Sequence, residues 1–293
     1  MNPKHRKHAS FLWFHGIAAL LLLAAASVLY YARYTEPNLL RLQNVDIGAA
    51  AVTSDLEGLR IVQISDIHLG RFYSLDKLQN LATRINGLRP DLIVFTGDLI
   101  DNFAHDPVSG AIAPILSQMK APLGKFAVYG NHDQGGGAKR PYARIMAEGG
   151  FKLLVNDHET LSIGRSKLVV AGLDDFLLGS PDLNKTFSGI DRNAFVLLLA
   201  HEPDVADRLG KYPVDLQLSG HSHGGQVQLP GYGPLYTPPL ARKYNEGLYT
   251  FHADSRRPLQ LYVNRGIGTT RLPFRLDSVP ELTLITLRQP AKQ

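Results

Sequence analysis

The chain has 293 residues, 44% of them hydrophobic and 19% charged, a globular composition with room for one large core or two modest ones. Lys plus Arg number 31 against 26 for Asp plus Glu, and a basic amino terminus explains part of the +5 excess, so no nucleic-acid footprint is read from it. Cysteine is absent, which excludes disulfides, thiolate metal sites and a cysteine nucleophile and leaves nitrogen and oxygen as the only metal ligands.

Residues 1–10, MNPKHRKHAS, form a basic tail with Lys4, Arg6 and Lys7. From Phe11 to Tyr31 the chain reads FLWFHGIAALLLLAAASVLYY, interrupted only by His15 and small residues. About 20 apolar residues cross a bilayer core as a helix. Phe11, Trp13 and Phe14 at one end and Tyr30, Tyr31 and Tyr34 at the other stand where amphipathic rings prefer the interface. Residues 11–31 are therefore expected to be a single transmembrane helix, with a cleavable signal peptide ending near Ala24-Ala25-Ala26 as the alternative. The basic tail favours an amino terminus inside and the remainder outside, a bias that Arg33 and Arg41 dilute.

Residues 32–57 read as a tether and a first short strand, and 58–290 as the folded domain. Strands are expected at 59–64, 91–95 and 126–129, alternating with helices at 75–85, 112–119 and 138–148. Asp91-Leu92-Ile93-Val94-Phe95 is of the continuous apolar kind found in sheets covered on both faces. Further strands are expected at 168–171, 195–199, 214–218, 261–263 and 282–287, and residues 231–247, rich in Gly and Pro, read as a long surface loop. Alternation in the first half and strands in the last third predict an α/β domain of two packed sheets with helices outside.

The ends of five strands carry the chemistry. Ser65-Asp66-Ile67-His68, Gly97-Asp98-Leu99-Ile100-Asp101, Gly130-Asn131-His132-Asp133, His201-Glu202-Pro203 and Gly220-His221-Ser222-His223-Gly224-Gly225-Gln226 each follow an apolar run. In α/β sheets ligands sit in the crevice beyond the carboxyl ends of the strands. Each cluster alone has an ordinary explanation: Gly-Asp is common at bends, Asn tolerates left-handed turns, and a lone His is more often a hydrogen-bonded histidine than a ligand. Five in register argue for one site. Carboxylate, imidazole and amide oxygen suit Mn, Fe, Zn or Mg. Asp66 and His68, like His221 and His223, are two apart on an extended segment and share a face.

Together these residues resemble the calcineurin-like metallophosphoesterase superfamily, whose blocks D-x-H, G-D, G-N-H-D/E, H and G-H-x-H all occur here in order, within residues 59–287. Gly224-Gly225-Gln226 and Asn264-Arg265-Gly266-Ile267-Gly268 are similar to the bacterial membrane-associated branch. The resemblance implies a four-layer αββα sandwich of two mixed sheets and a pair of divalent ions, manganese favoured. It implies Asp66, His68 and His223 on the first ion, Asn131, His201 and His221 on the second, and Asp98 bridging them. Such ions would sit ~3.5–4 Å apart, with a bridging hydroxide attacking phosphorus. His132 would face the scissile phosphate, oriented by Asp101. Protein phosphatases of the superfamily carry an arginine after that aspartate; Asn102 stands here, so Arg265 or Arg71 is expected to supply a cation to the substrate.

The implied activity is that of a phosphodiesterase or pyrophosphatase, anchored by one pass in the bacterial inner membrane and facing the extracytoplasmic side, with the cytoplasmic face as the alternative. The expected substrate is a lipid or lipid-linked phosphoester such as UDP-2,3-diacylglucosamine. A broad-specificity extracytoplasmic phosphodiesterase is the rival enzyme, and an inactive scaffold the rival outside enzymology.

Overall fold

A computed structural model describes residues 3–104, 110–251 and 258–290; Met1 and Asn2 of the basic tail lie outside them. Two six-stranded mixed sheets carry the fold. The first runs, in spatial order, β1 (Arg41–Gly48), β14 (Glu281–Arg288), β2 (Arg60–Ile64), β3 (Leu92–Phe95), β4 (Lys125–Ala127) and β5 (Lys152–Leu153). The second runs β12 (Gly247–Phe251), β13 (Leu259–Val263), β9 (Leu216–Ser219), β8 (Phe195–Leu199), β7 (Ser166–Gly172) and β6 (Asp157–Ile163). A hairpin of β10 (Gln228–Leu229) and β11 (Gly233–Pro234) stands apart. β2 to β5 are mutually parallel, as are β7, β8, β9 and β13, so their carboxyl ends gather at one edge of each sheet.

The apolar runs become strands buried on both faces, and their period of two decides the layers. Ile61, Leu92 and Val94 meet Leu168, Phe195, Leu197 and Leu199 in a core between the sheets. The alternate residues Val62, Ile64, Ile93 and Phe95 turn outward, against α2 (Leu75–Gly87), α3 (Ile112–Ser117) and α5 (Lys139–Glu148). Helix α2 starts where the Ser74 hydroxyl accepts from the Lys77 N–H, and buries Leu78, Leu81, Ala82 and Ile85, one stripe at helical spacing. Each buried aliphatic side chain of this kind contributes about 1.5–3 kcal/mol. On the other side Val169, Val196 and Leu198 pack under a 3₁₀ turn, Pro203–Arg208, α6 (Leu183–Thr186) and Tyr244. The layers are thus α–β–β–α as expected, with the fourth built of short pieces.

Helix α1 (Pro3–Tyr30) outlasts the expected span: it continues as a π-helical turn, Tyr31–Thr35, and a 3₁₀ turn, Glu36–Asn38. The stretch Trp13–Asn38, 26 residues, is long and apolar enough to cross a membrane. Its far end is docked on the domain. Ala32 and Glu36 are buried, the Ala32 carbonyl accepts the Arg275 N–H at 2.9 Å, and the Glu36 carboxylate accepts the N–H groups of Asp277 (3.1 Å) and Ser278 (2.7 Å). The strand expected within 32–57 is β1, paired in parallel with β14 along its whole length from Arg41↔Glu281 to Gly48↔Arg288. β5, β6 and β12 went unread because β5 has only two residues, β6 is polar-rich, and the half-exposed Gly-Leu-Tyr-Thr-Phe of β12 carries no long apolar run. The loop expected over 231–247 also holds β11 and the start of β12.

Candidate active site

Beyond the ends of β2, β3 and β9 the backbone turns so sharply that Asp66 (φ 51°), His68 (48°), Asp98 (62°), His221 (68°) and His223 (51°) all adopt left-handed conformations. For non-glycine residues that is uncommon, and five together in one crevice mark a strained site held by its surroundings. The loops brace one another: Asp66 N–H donates to the Gly97 carbonyl (2.9 Å), His68 N–H to Asp98 (3.2 Å) and Gly220 N–H to His201 (3.0 Å). Gly97 (φ 100°) has no substitute, since a Cβ there would lie 2.6 Å from the Gly130 nitrogen and 2.7 Å from His201 Nδ1.

Two buried triads result, Asp66–His68–His223 and Asp98–His201–His221. In the first, His68 Nε2 and His223 Nε2 are 3.0 Å apart, with Asp66 Oδ1 3.4 Å from His223 Nε2. In the second, His201 Nε2 and His221 Nδ1 are 3.2 Å apart, with Asp98 Oδ2 3.3 Å from His201 Nε2. The same Asp98 oxygen is 3.6 Å from His68 Nε2, so one carboxylate oxygen stands between the triads. Its other oxygen accepts the His132 N–H at 2.9 Å, at the start of α4 (Asn131–Gln134).

The tautomers follow from the outer partners. His201 Nδ1 donates to the Thr96 carbonyl (2.7 Å) and His221 Nε2 to the Pro239 carbonyl (2.9 Å); a carbonyl only accepts, so both protons sit on the outer nitrogens. In the neutral rings that metal ligation requires, the inner nitrogens face each other bare beside a carboxylate. Burial favours that neutral form at His201, but Asp98 outweighs it and lifts the ring well above the usual histidine range. Asn131 Oδ1 is likewise buried with no hydrogen-bond partner. Converging lone pairs and an orphaned amide oxygen are costly unless a cation lies among them, and the donor set fits hard or borderline divalent ions. These clusters are able to hold metals. Burial raises Asp66, whereas at Asp98 burial is opposed by His201, His132 and His68, which hold that carboxyl well below its usual range.

Asp101 differs from expectation. Its carboxylate does not reach His132: Oδ1 accepts from His68 Nδ1 at 3.0 Å and from the Thr270 hydroxyl at 2.9 Å. His132 Nδ1 instead donates to the Asp101 main-chain carbonyl at 2.5 Å. Asp101 thus meets His132 through its main-chain carbonyl, while its side chain serves His68 and Thr270. His132 itself lines a cavity of about 100 Å³ with Asp98, Asn131, His221 and His223.

Neither expected arginine lines that cavity. Arg265 Nε is held by Glu281 (2.8 Å), with Glu246 3.8 Å from its Nη1, and Arg71 stacks near Phe72 in another cavity. The cation at the mouth is Arg271, in a left-handed conformation beside Tyr236. Asn102 uses its side-chain oxygen to accept the Ala104 N–H. Two further residues hold the site from behind. The Asp133 carboxylate accepts N–H groups of Asp98 (2.7 Å), Leu99 (3.0 Å) and Gly130 (2.9 Å), although burial and Asp98 push it up to about 8. Arg275, fully buried, donates to the carbonyls of Arg265 (2.8 Å), Ser278 (3.0 Å), His223 (3.3 Å), Gly266 (3.2 Å) and Gly268 (2.5 Å). Asp133 was in view in the G-N-H-D block without a role; Arg275 has no local signal.

The family model described as calcineurin-like phosphoesterase matches residues 59–225, which hold every residue of the two triads. A metallophosphoesterase of Bacillus subtilis, YkuE, is 44% identical over 274 residues, covering 93% of this chain and 94% of its own. The UDP-2,3-diacylglucosamine pyrophosphatase LpxG of Chlamydia muridarum is 31% identical, over 94% of this chain and 98% of its own. The solved structure of TT1561 from Thermus thermophilus aligns with a TM-score of 0.45 and 13% identity, over 72% of this chain and 90% of that one. The chain therefore belongs to the calcineurin-like phosphoesterase family, metal-dependent hydrolases of phosphoesters.

Proposed function

We propose that this protein is a membrane-anchored phosphodiesterase or pyrophosphatase that cleaves a lipid or lipid-linked phosphoester with two divalent ions. The observation that carries the reading is the shared segment 270–278. Its Thr270 and Arg271 border the cavity, while its Arg275, Asp277 and Ser278 are bonded to the end of the apolar helix. The anchor thus ends beside the active site. Tyr236, which lines the same cavity, is 54% exposed, and exposed apolar side chains adjoin the lining residues in sequence at Leu235 (56%) and Leu272 (64%). Exposed apolar side chains on the segments that border the cavity suit an amphiphile better than a soluble phosphoester. LpxG, which acts on UDP-2,3-diacylglucosamine, supports that substrate as the first to try.

Asp66, His68 and His223 would hold one ion, Asn131, His201 and His221 the other, and Asp98 both. Such ions, manganese favoured, supply Lewis acidity toward phosphoryl oxygens and lower the pKa of a water to make a nucleophile at neutral pH. His132 supplies the proton. Burial opposes a charge on its ring, but Asp98 and the Asp101 carbonyl lift it above the ordinary histidine range. With Nδ1 committed to that carbonyl, Nε2 is left to protonate the departing oxygen. Arg271 is the cation placed to meet a non-bridging oxygen, in the role expected of Arg265 or Arg71. The basic tail orients the domain to the extracytoplasmic side.

The test uses the full chain in a neutral detergent with manganese, comparing kcat/KM for UDP-2,3-diacylglucosamine and for bis(p-nitrophenyl) phosphate. The lipid-linked substrate should be preferred, and a chelator should abolish both activities. Equal or better turnover of the soluble diester would replace this reading with a broad-specificity phosphodiesterase. Turnover that survives the chelator would refute the metal-dependent chemistry.

A further inference from the structure

A second cavity, about 210 Å³, lies where the apolar helix meets the domain. Its walls come from three separate parts of the chain: Arg33, Pro37 and Asn38 after the helix, Arg71, Phe72 and Lys77 at the start of α2, and Gly268, Thr269 and Pro273 from the active-site segment. None of the residues lining it is acidic. The guanidinium carbons of Arg33 and Arg71 lie 5.5 Å and 5.4 Å from the centroid of the same Phe72 ring. Like charges are thus gathered around one aromatic, with no carboxylate between them. Lys77 Nζ donates to Asn38 Oδ1 (2.7 Å) and to the Phe72 carbonyl (3.3 Å), both uncharged, and lies 5.6 Å from the Tyr73 ring; no carboxylate pairs with it among the described residues.

Bringing three cations together costs Coulomb energy, and burial adds to that cost at Lys77, whose ammonium it draws below the usual range. A small anion in the cavity would offset both. Planar guanidinium forks and an ammonium are the groups that suit phosphate oxygens. The level of the cavity on the molecule narrows the source. Tyr30, Tyr31 and Tyr34 close the apolar run, and Arg33 stands among them, at the depth where a membrane-spanning helix meets lipid headgroups.

We infer that this cavity binds the phosphate of an anionic lipid headgroup between Arg33, Arg71 and Lys77, beside the active site and separate from it. The inference rests on the membrane-anchored reading above. It also gives Arg71 a task other than the substrate contact expected from sequence. The cavity wall is not isolated from the catalytic centre. Gly268 N–H donates to the Asp66 carbonyl at 2.8 Å, and the Gly268 carbonyl accepts from Arg275, so a bound headgroup would steady the loop behind the first triad.

The full chain, purified in a neutral maltoside detergent, is titrated with phosphatidylglycerol and with phosphatidylcholine of the same acyl length, and bound lipid is read by native mass spectrometry. Phosphatidylglycerol should be retained about a hundredfold better, in line with roughly 1 kcal/mol for each of the three juxtamembrane cations and about 1.4 kcal/mol per factor of ten. Arg33→Gln/Arg71→Gln/Lys77→Gln should lose that preference while keeping its circular dichroism, and the exposed Arg71→Gln alone should lose part of it. Equal retention of the two lipids by the parent chain, or an unchanged preference in the triple variant, overturns the assignment. Competition by inorganic phosphate or glycerol phosphate at the lipid's own concentration overturns the lipid source in favour of a free-anion site. Alkaline carbonate extraction of membranes separates the failures: release of the chain sinks the membrane reading and this inference with it, whereas retention without lipid preference sinks this inference alone.

Discussion

Asp133 and Arg275 are both fully buried, and each fastens one half of the site, one through acceptor oxygens and the other through donor N–H groups. The carboxylate gathers N–H groups where the loops after β3 and β4 begin, within three residues of its own position at one contact. The guanidinium gathers carbonyls from 223 to 278, and the main-chain N–H of Arg275 reaches back to Ala32. The half supplied by the first sheet is therefore held by a local, motif-bound device. The half that carries His223 is held by a long-range one that includes the end of the apolar helix. Strain in the left-handed ligand loops is sustained differently on the two sides, and each side should fail in its own way.

Removing the carboxylate that stands between the two triads tests the common element first. Asp98→Ala should lose metal uptake and turnover together, by roughly 10³-fold or more in activity, since the ions contribute several kcal/mol to the transition state; metal analysis of the purified variant alongside its kinetics reads both. His132→Ala should retain metal and lose about 10²–10⁴-fold in kcat, the usual contribution of a positioned acid. Were it to turn over like the parent chain, another group would have to supply the proton.

The comparison itself is sharpened by breaking one fastening at a time. Arg275→Met removes the donor of the Arg265, Gly268 and Ser278 carbonyls, while those of His223 and Gly266 keep other donors, and should cost about 3–5 kcal/mol of stability, seen as a fall in denaturation midpoint with or without metal. Asp133→Asn keeps one acceptor and should cost less, with the loss concentrated in metal affinity. The smallest effect is expected at Asp101. Because its carboxylate serves His68, Asp101→Asn should weaken metal binding about 10–100-fold and leave kcat near the parent value once metal is saturating. A kcat that stays low at saturating metal would instead restore the expected link to His132.

Much of this was readable before folding. The runs 91–95 and 195–199 announced central strands because a strand buried on both faces must be apolar at every position, and they are β3 and β8. The five polar clusters at strand ends were legible for a related reason: a stretch of Asp, His, Asn and Gly directly after such a run has no core to enter, so its chemistry stands out. β5, β6 and β12 were invisible, being half-exposed edge or near-edge strands whose pairing is decided by neighbours rather than by their own pattern. The two arginines singled out for the substrate show the same limit. A guanidinium reaches far, and which carboxylate or cavity it meets depends on loops distant in sequence.

Residue types and spacing by themselves determined the layers, the donor set and the presence of a long apolar helix, because burial and ligand chemistry act on each position locally. Only the tertiary structure decided that Asp101 serves His68, that Arg271 rather than Arg265 reaches the cavity, and that Arg275 and Glu36 join the helix end to the loop behind His223. Those are contacts between segments tens to hundreds of residues apart, and no local pattern encodes a partner that only folding brings near.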